Sequence, residues 1–292
     1  MTNKRNNPKA DSAVDNLEII SYIVKKSQIS LLIEKGVFAM KIIRFQENEI
    51  IRWGILTGDL VQEISGDIYG AFETTNRTYP LGSVTLLAPC TPTKGVCVGL
   101  NYYDHAKEMN LPLPEEPLIF LKPSSALNHP QGIIRYPSRS SNLHFEGELA
   151  VVIKKEAWGI TPEEAPEYIL GYTCGNDVTA RDLQMKDGQW TRGKSFDTFM
   201  PLGPVIETNI NGNHVGIRVL VNGMVKQSSN TKHFIFNIPY LVAYISQVMT
   251  LYPGDVILTG TPAGVGPLAI GDQVTVEIEG IGSLVNTVAT GK

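Results

Sequence analysis

The sequence predicts an α+β fold in which β-strands predominate. Short apolar segments separated by turn residues recur along the chain, among them residues 41–45, 50–56 and 256–260. The dipeptide Asn222-Gly223 stands between two alternating segments, which is typical of a type I′ β-hairpin over residues 217–226. Residues 237–249 have the length and apolar periodicity of a helix, with Pro239 in its first turn.

Taken in order, the chain divides into three predicted parts. Residues 1–39 begin polar and then carry two apolar runs, which predicts a helical N-terminal extension whose acidic residues argue against a transit peptide. Residues 40–90 alternate strand and turn signals and predict a small β-rich module. Four acids of this module are interpreted as solvated charges: Glu47, Glu49, Asp59 and Glu63. Residues 91–292 form the larger, third part.

Composition excludes several classes of function. The 292 residues carry a formal net charge of -4, and no cluster of Lys and Arg offers the basic surface that nucleic acid requires. No apolar run approaches the length needed to span a bilayer. Cys90, Cys97 and Cys174 lack the CxxC spacing of a zinc site, and they fit a reducing compartment. We therefore expect a cytoplasmic protein that binds neither nucleic acid nor membrane.

The first segment with chemical potential is residues 104–109, which follow an apolar strand and predict the opening of a short helix. His105 and Glu108 are three residues apart, so they share one face of that helix. A carboxylate in this position orients the imidazole, or the two groups flank one water, as general acid–base chemistry requires. The alternative is an N-terminal cap on an exposed helix.

The second segment is an acidic strand mouth. Residues 144–148 (HFEGE) precede an apolar run, and strand alternation puts Glu146 and Glu148 on the same face. Two carboxylates so close repel each other, and a hard divalent cation with oxygen ligands compensates that repulsion. Asp177 follows another apolar stretch, 168–174, which can lie alongside as the neighbouring strand. The alternative is a solvated strand face.

Arg181 and Gln184 follow Asp177 by four and seven residues. If a helix begins near Asp177, all three side chains lie on one face. Arg181 is interpreted either as a substrate-binding residue or as a partner of a structural salt bridge with Asp182 or Asp187.

Two further features lie downstream. Lys194 lies in a segment that we expect to be an extended strand, and a partly buried ammonium there needs a carboxylate or a developing oxyanion. Residues 259–266 form a glycine-rich turn at the end of a buried strand. This turn lacks the Lys-Ser/Thr of a phosphate loop, so either ligand binding or a pure turn role remains open.

Read together, residues 99–108, the Glu146-x-Glu148 strand and residues 177–198 resemble the fumarylacetoacetate hydrolase family in order and spacing. The similarity runs from about residue 40 to the C-terminus, and its branch is that of bacterial acylpyruvases and 2-hydroxyhepta-2,4-diene-1,7-dioate isomerases. The resemblance implies a mixed β-roll or barrel-like catalytic domain over residues 91–292, preceded by the small β-rich module. It also implies a homodimer that uses Mg²⁺ or Mn²⁺ to act on a small 2-oxo or 1,3-dioxo acid.

The resemblance also implies a role for each candidate residue. The metal-binding carboxylates are Glu146, Glu148 and Asp177. The catalytic residues are His105, Glu108 and Lys194. The substrate-binding residues are Arg181, Gln184 and Thr261. Residues 111–117 resemble the irregular part of a mobile lid that carries the His105–Glu108 pair.

The expected reaction proceeds through an enolate that the metal and Lys194 stabilise. If His105 and Glu108 activate water, the outcome is C–C hydrolysis of an acylpyruvate-like substrate, which is the reaction that the sequence favours. Without water, the same enolate gives isomerisation, tautomerisation or oxaloacetate-type decarboxylation. A hypothesis of another class is a non-catalytic, metal-stabilised β-rich binding module. For an enzyme, Lys194→Met is expected to abolish activity while thermal stability is kept or raised.

Overall fold

The structure, a computed structural model, describes residues 39–291. The helical extension predicted over residues 1–39 therefore lies outside the described residues, apart from Ala39. From Met40 onwards the chain forms one unit, in which strands far outnumber helices, and the predicted α+β, predominantly β class is confirmed. No helix within residues 39–291 is long and apolar enough to cross a membrane.

Five strands build the N-terminal part. They are β1 (Lys41–Glu47), β2 (Ile50–Thr57), β3 (Leu60–Gly66), β4 (Phe72–Pro80) and β5 (Thr85–Leu87). The β1–β2 turn places Asn48 and Glu49 at φ of 47° and 66°, as a tight two-residue hairpin requires. The prediction of solvated charge is wrong for Glu63, which is buried: it accepts a hydrogen bond of 2.8 Å from Tyr79 Oη, and an Arg52 nitrogen lies 3.6 Å away. Its neighbours on β2 and β4 cover it.

The rest of the described chain contributes fifteen strands and four helices. The strands are β6 (Lys94–Val98), β7 (Ile119–Pro123), β8 (Leu127–Asn128), β9 (Ile133–Tyr136), β10 (Leu143–Phe145), β11 (Gly147–Ile153), β12 (Ile169–Asn176), β13 (Thr179–Ala180), β14 (Met200–Glu207), β15 (Gly216–Val221), β16 (Met224–Asn230), β17 (Val256–Leu258), β18 (Gly266–Pro267), β19 (Gln273–Ile278) and β20 (Gly282–Thr290). The helices are α1 (Tyr103–Glu108), α2 (Arg181–Asp187), α3 (Thr191–Lys194) and α4 (Ile238–Val248).

These strands form three sheets. The largest has the order β4-β3-β2-β1-β14-β12-β11-β17-β6-β7, with β5 also on β1 and β8 on β14. The second has the order β13-β10-β18, and the third β16-β15-β19-β20-β9. Within residues 39–291 none of these sheets closes into a barrel. Because β1 pairs with β14, the N-terminal strands continue the sheet that carries the central strands.

Strand β11 lies inside the largest sheet, and all seven of its residues are buried. It pairs with β12 on one edge and with β17 on the other, so its apolar run is continuous instead of alternating. β12 is the neighbouring strand that the sequence predicted, antiparallel with Glu148 opposite Gly175. The adjoining strand ends bring Asp177 to Glu146, whose carbonyl oxygen accepts the Asp177 N–H at 2.8 Å.

The predicted hairpin and long helix are present as β15–β16 and α4. Asn237 caps α4, because its side chain accepts a hydrogen bond from Tyr240 N. Pro239 lies in the first turn, where a missing N–H costs no helical hydrogen bond. The buried face of α4 packs into the common core, as predicted.

Two local predictions near the acids are wrong. Helix α2 begins at Arg181 and not near Asp177, and Lys194 ends helix α3 instead of lying in an extended strand. The error for Lys194 arises from Gly193, which we interpret from the sequence as a glycine that makes an extended strand more flexible. A Cβ added there would lie 2.9 Å from the backbone nitrogen of Gln184, so this glycine allows α3 to approach α2 closely.

Candidate active site

The three predicted metal ligands come together at the ends of β11 and β12. Glu146 immediately precedes β11, Glu148 is its second residue, and Asp177 follows β12. One carboxylate oxygen from each lies within 4.8 Å of the others, and all three side chains are buried. Alternation along β11 and its pairing with β12 are sufficient to produce this cluster.

The cations Lys194 and Arg181 contact this cluster. Lys194 Nζ donates to Glu146 Oε2 at 2.7 Å and to Asp177 Oδ2 at 2.6 Å, and its side chain is 2% exposed. Arg181 forms an ion pair with Glu146 and donates to Gln184 Oε1 at 2.6 Å. Burial lowers the pKa of Lys194, but the two carboxylates outweigh it and hold that pKa above its usual value. The buried lysine with carboxylate partners matches the sequence-based expectation.

The salt-bridge partners proposed for Arg181 from sequence are occupied elsewhere. Asp182 accepts hydrogen bonds from Ser140 and Ser141, and Asp187 is paired with Arg192. Helix α2 therefore directs Arg181 and Gln184 together towards the acids. Asp182 and Asp187 instead fix the two ends of the helix.

A third cation, Lys122 on β7, was not found from the sequence. Its side chain is fully buried, and Nζ lies 2.7 Å from Asp177 Oδ1. The three Nζ protons are donated to backbone carbonyl oxygens, those of Val178, Lys194 and Phe199. The contact with Asp177 is therefore electrostatic, and Asp177 Oδ1 accepts no hydrogen bond although it is buried. A lysine in a short strand predicts a solvated charge, so only the folded chain reveals this position.

Glu148 is the acid without a cation. Among the described residues it forms no ion pair, and its Oε2 accepts only the N–H of Gly260, at 2.7 Å. Burial, then Asp177, then Glu146 raise the pKa of Glu148 well above its usual range. At Glu146 burial acts in the same direction, but Lys194 and Arg181 together bring the pKa below the usual range. Within the described residues, Glu148 is therefore the acid of the cluster that no cation contacts, and its surroundings favour its uncharged form.

The His105–Glu108 pair is formed on α1 as the sequence predicts. His105 Nδ1 lies 3.0 Å from Glu108 Oε2, and both Glu108 oxygens accept the N–H of Gly264, at 3.0 and 3.2 Å. Because a carboxylate only accepts, Nδ1 carries the proton and Nε2 is left as the basic nitrogen. Asp104 fixes the start of α1, since its Oδ2 accepts from Ser229 Oγ at 3.0 Å.

The glycine-rich turn, residues 259–266, contacts both groups of acids. Gly260 N–H binds Glu148, and Gly264 N–H binds Glu108. Between them, Thr261 Oγ1 donates to Gly147 O at 2.9 Å and accepts from Gln227 Nε2 at 2.8 Å. The Thr261 hydroxyl proton is thus donated within the protein, and its role in substrate binding stays a prediction.

Two known family profiles match this chain. A profile described as fumarylacetoacetate (FAA) hydrolase C-terminal matches residues 94–289. The chain belongs to the fumarylacetoacetate hydrolase family. A second profile, described as Rv2993c-like, N-terminal, matches residues 40–89.

Three relatives illustrate the similarity of this family member to known proteins. An uncharacterized protein of Archaeoglobus fulgidus is 56% identical over 208 residues, which are 71% of this chain and 83% of that protein. Oxaloacetate tautomerase Fahd2a, mitochondrial, of Rattus norvegicus is 45% identical over 221 residues, which are 72% of this chain and 71% of that protein. The crystal structure of 2-hydroxyhepta-2,4-diene-1,7-dioate isomerase from Mycobacterium marinum aligns with a TM-score of 0.81 and 44% identity, covering 86% of this chain and 98% of that chain. These similarities confirm the branch of the fumarylacetoacetate hydrolase family expected from the sequence.

The carboxylates of this family member fit a hard divalent cation. Glu148 has no cationic partner, and Asp177 Oδ1 is buried without a hydrogen bond, so both have oxygen lone pairs free for a metal. The sequence indicated a metal because two adjacent carboxylates repel each other. In the structure cations lie against Glu146 and Asp177, so Glu148 is the carboxyl group whose ionised form a metal would stabilise.

Proposed function

We propose that this protein is a divalent-metal-dependent tautomerase or isomerase that moves a proton on a 2-oxo acid through an enolate. The observation that carries the proposal is the buried ammonium of Lys194, which donates to Glu146 and Asp177 and has one of its three protons left for a substrate oxygen. The relatives named oxaloacetate tautomerase and 2-hydroxyhepta-2,4-diene-1,7-dioate isomerase support proton transfer over the hydrolysis favoured from sequence alone.

In this proposal the metal that the buried carboxylates would hold and the ammonium of Lys194 would stabilise the same substrate oxygen. Glu146, Glu148 and Asp177 would hold Mg²⁺ or Mn²⁺, which when bound would polarise the 2-oxo group and stabilise the enolate. Lys194 donates its remaining proton to the oxygen on which negative charge develops. The interaction is stronger here than in water, because the surroundings of Lys194 are buried and fixed before the reaction.

His105 is the proposed base. Its Nε2 takes a proton from the carbon next to the 2-oxo group, and Glu108 stabilises the resulting imidazolium through Nδ1. The same nitrogen returns the proton to the enolate oxygen or to another carbon of a conjugated substrate. The product is then the enol tautomer or the double-bond isomer, with the same atomic composition as the substrate.

Hydrolysis of an acylpyruvate remains the second candidate because His105 and Glu108 are already paired at 3.0 Å. In this reaction the pair takes a proton from water as the water oxygen adds to the distal carbonyl. The C–C bond then breaks, and the electron pair goes to the pyruvate enolate, which is protonated to pyruvate. The other product is a free carboxylic acid.

The test is a substrate panel with Mg²⁺ or Mn²⁺, in which products are identified by NMR. The panel contains oxaloacetate, a 2-hydroxymuconate-type dienoate and several acylpyruvates. We expect metal-dependent proton migration in the first two, reduced about 10²–10⁴-fold in His105→Asn. Glu156→Gln changes an exposed carboxylate after the end of β11, outside the lid and α1, and should keep the parent rate.

Two results would contradict the proposal in different ways. Pyruvate and a free acid from an acylpyruvate, with no proton migration on the other substrates, would favour hydrolysis. Metal binding without turnover on any member of the panel would favour the non-catalytic binding module.

A further inference from the structure

Gln227 on β16 is a buried amide in an otherwise exposed stretch of strand. Its side chain is 1% exposed, whereas Val225 is 51% exposed and Lys226 is also exposed. The β15–β16 register shifts here: Val219 pairs with Gln227 and Leu220 with Val225, so Lys226 is an extra residue. A bulge of this kind redirects the next side chain, and it turns Gln227 inward.

Both Nε2 protons and the Oε1 atom of the Gln227 side chain have hydrogen-bond partners. Gln227 Oε1 accepts the N–H of Gly147 at 3.0 Å, and Nε2 donates to Thr261 Oγ1 at 2.8 Å and to Pro262 O at 2.7 Å. Gly147 has no room for a larger residue, because an added Cβ would overlap a methyl group of Val219. The amide therefore holds a close contact between β11 and the glycine-rich turn.

The three partners of Gln227 lie in the two halves of the site. Gly147 is the residue between the metal-binding acids Glu146 and Glu148. Thr261 and Pro262 lie in the turn whose Gly264 N–H holds Glu108. One side chain thus connects the backbone of the carboxylate pair to the element that orients the acid–base pair.

We propose that Gln227 is a positioning residue, which fixes the carboxylates of β11 and the His105–Glu108 pair in one geometry. The inference rests on the proposed function, because that function requires the β11 carboxylates and the His105–Glu108 pair to act on one substrate. Outer residues that orient metal ligands typically contribute 10–100-fold to metal affinity or activity. We expect Gln227→Met, which keeps the length and removes the hydrogen bonds, to weaken Mn²⁺ affinity and lower kcat by about this factor.

The experiment measures Mn²⁺ affinity from the EPR signal of free Mn²⁺, and hydrogen exchange of the peptide containing 103–108, in full-length protein. Asn286→Leu is the matched control, because Asn286 is also 1% exposed and donates two hydrogen bonds, to His129 O and Gly132 O. We expect both variants to lower Tm, but only Gln227→Met to weaken Mn²⁺ binding and speed exchange in α1. If Gln227→Met does not fold, Gln227→Asn keeps the amide but is too short for all three partners.

The outcomes separate this inference from the proposed function. Equal Tm losses in the two variants, with parental Mn²⁺ affinity and exchange in both, would reduce Gln227 to a structural residue and overturn the inference. Weaker Mn²⁺ binding and faster exchange in Gln227→Met, with no proton-transfer activity in the parent, would uphold the inference and reject the proposed function. A parent that binds no Mn²⁺ would overturn both.

Discussion

Lys194 and Lys122 approach Asp177 from two sides and use their protons differently. Lys122 donates its three to backbone carbonyls, while Lys194 donates two to carboxylates. Lys122 therefore compensates charge as a fixed part of the scaffold. Lys194 is the cation with a proton free for chemistry.

The burial of Lys194 changes the stability expected of Lys194→Met. Sequence alone predicts kept or raised stability, but removing one member of a buried ion network typically costs about 3–5 kcal/mol. We therefore expect the Tm of metal-free Lys194→Met to lie well below that of the metal-free parent. Adding Mg²⁺ to the variant should restore part of this loss in Tm. Lys155→Met is the control, since the exposed Lys155–Glu167 pair should contribute less than about 1 kcal/mol. Unchanged melting of metal-free Lys194→Met would contradict this expectation.

At the scale of residues, the sequence predicts the members of the site that follow a local rule. Strand alternation gives Glu146 and Glu148, and helical spacing gives His105 with Glu108. Lys122 and Gln227 follow no such rule, because each lies in a strand where a polar residue ordinarily faces solvent. Their roles depend on partners far away along the chain, such as Val178, which is 56 residues from Lys122, and Gly147, which is 80 residues from Gln227.

At the scale of elements, the glycine-rich turn depends on Gly264. This residue has φ of +95°, and an added Cβ would overlap the carbonyl oxygen of Lys226. Gly271 has nearly the same φ, +93°, but has no atom within 4 Å of an added Cβ. Comparing substitutions at Gly264 and Gly271 therefore distinguishes the effect of backbone strain from the effect of losing the contact with Glu108.

We expect Gly264→Ala to lower kcat at least tenfold, because the turn must shift and its N–H leaves Glu108. Gly271→Ala should lose about 1–2 kcal/mol of stability from the same left-handed backbone and keep the parent kcat. Steady-state kinetics and thermal melts of both variants provide the measurement. Parental kcat in Gly264→Ala would show that the turn does not orient the acid–base pair.

The sequence correctly predicts those helices and strands whose local residue pattern is compatible with only one secondary structure. Alternating strands around Asn222-Gly223 and the capped helix α4 are examples. Lys194 was placed in a strand because Gly193 resembles a strand-loosening residue. The actual role of Gly193 is to allow close packing against Gln184 of α2. The sequence of residues 191–194 alone does not reveal this contact, because α2 is a separate element.

At the scale of the whole molecule, metal binding should stabilise the fold through Glu148. A ligand at 100 times its Kd stabilises the folded state by about 2.7 kcal/mol. We expect Mn²⁺ to raise the parent Tm and to have no effect on Glu148→Gln. The metal-free Tm of this variant should be close to that of the parent, because the raised pKa of Glu148 already favours its uncharged form. Glu277→Gln, at a surface pair with Arg218, should keep the parental response to Mn²⁺. A parental Mn²⁺ response in Glu148→Gln would remove this acid from the metal site.

We also propose that the protein is a homodimer. Exposed apolar side chains are grouped along residues 109–118, where four are about half exposed: Met109, Leu111, Leu113 and Leu118. Sedimentation at micromolar concentration should give a dimer, weakened in Leu113→Glu. A parent that sediments as a monomer would refute the proposal.

The pairing of β1 with β14 has a consequence for synthesis of the chain. Met40 N–H donates to Thr208 Oγ1, which lies 168 residues further on. At ~5–20 residues per second, a ribosome completes that distance in about 10–30 s, during which one edge of β1 lacks its final partner. β5 pairs with residues 44–46 on this same edge and emerges first, so only residues 41–42 wait for β14. Strand β1 thus exposes little free edge, which limits aggregation through this strand while the remaining strands are made.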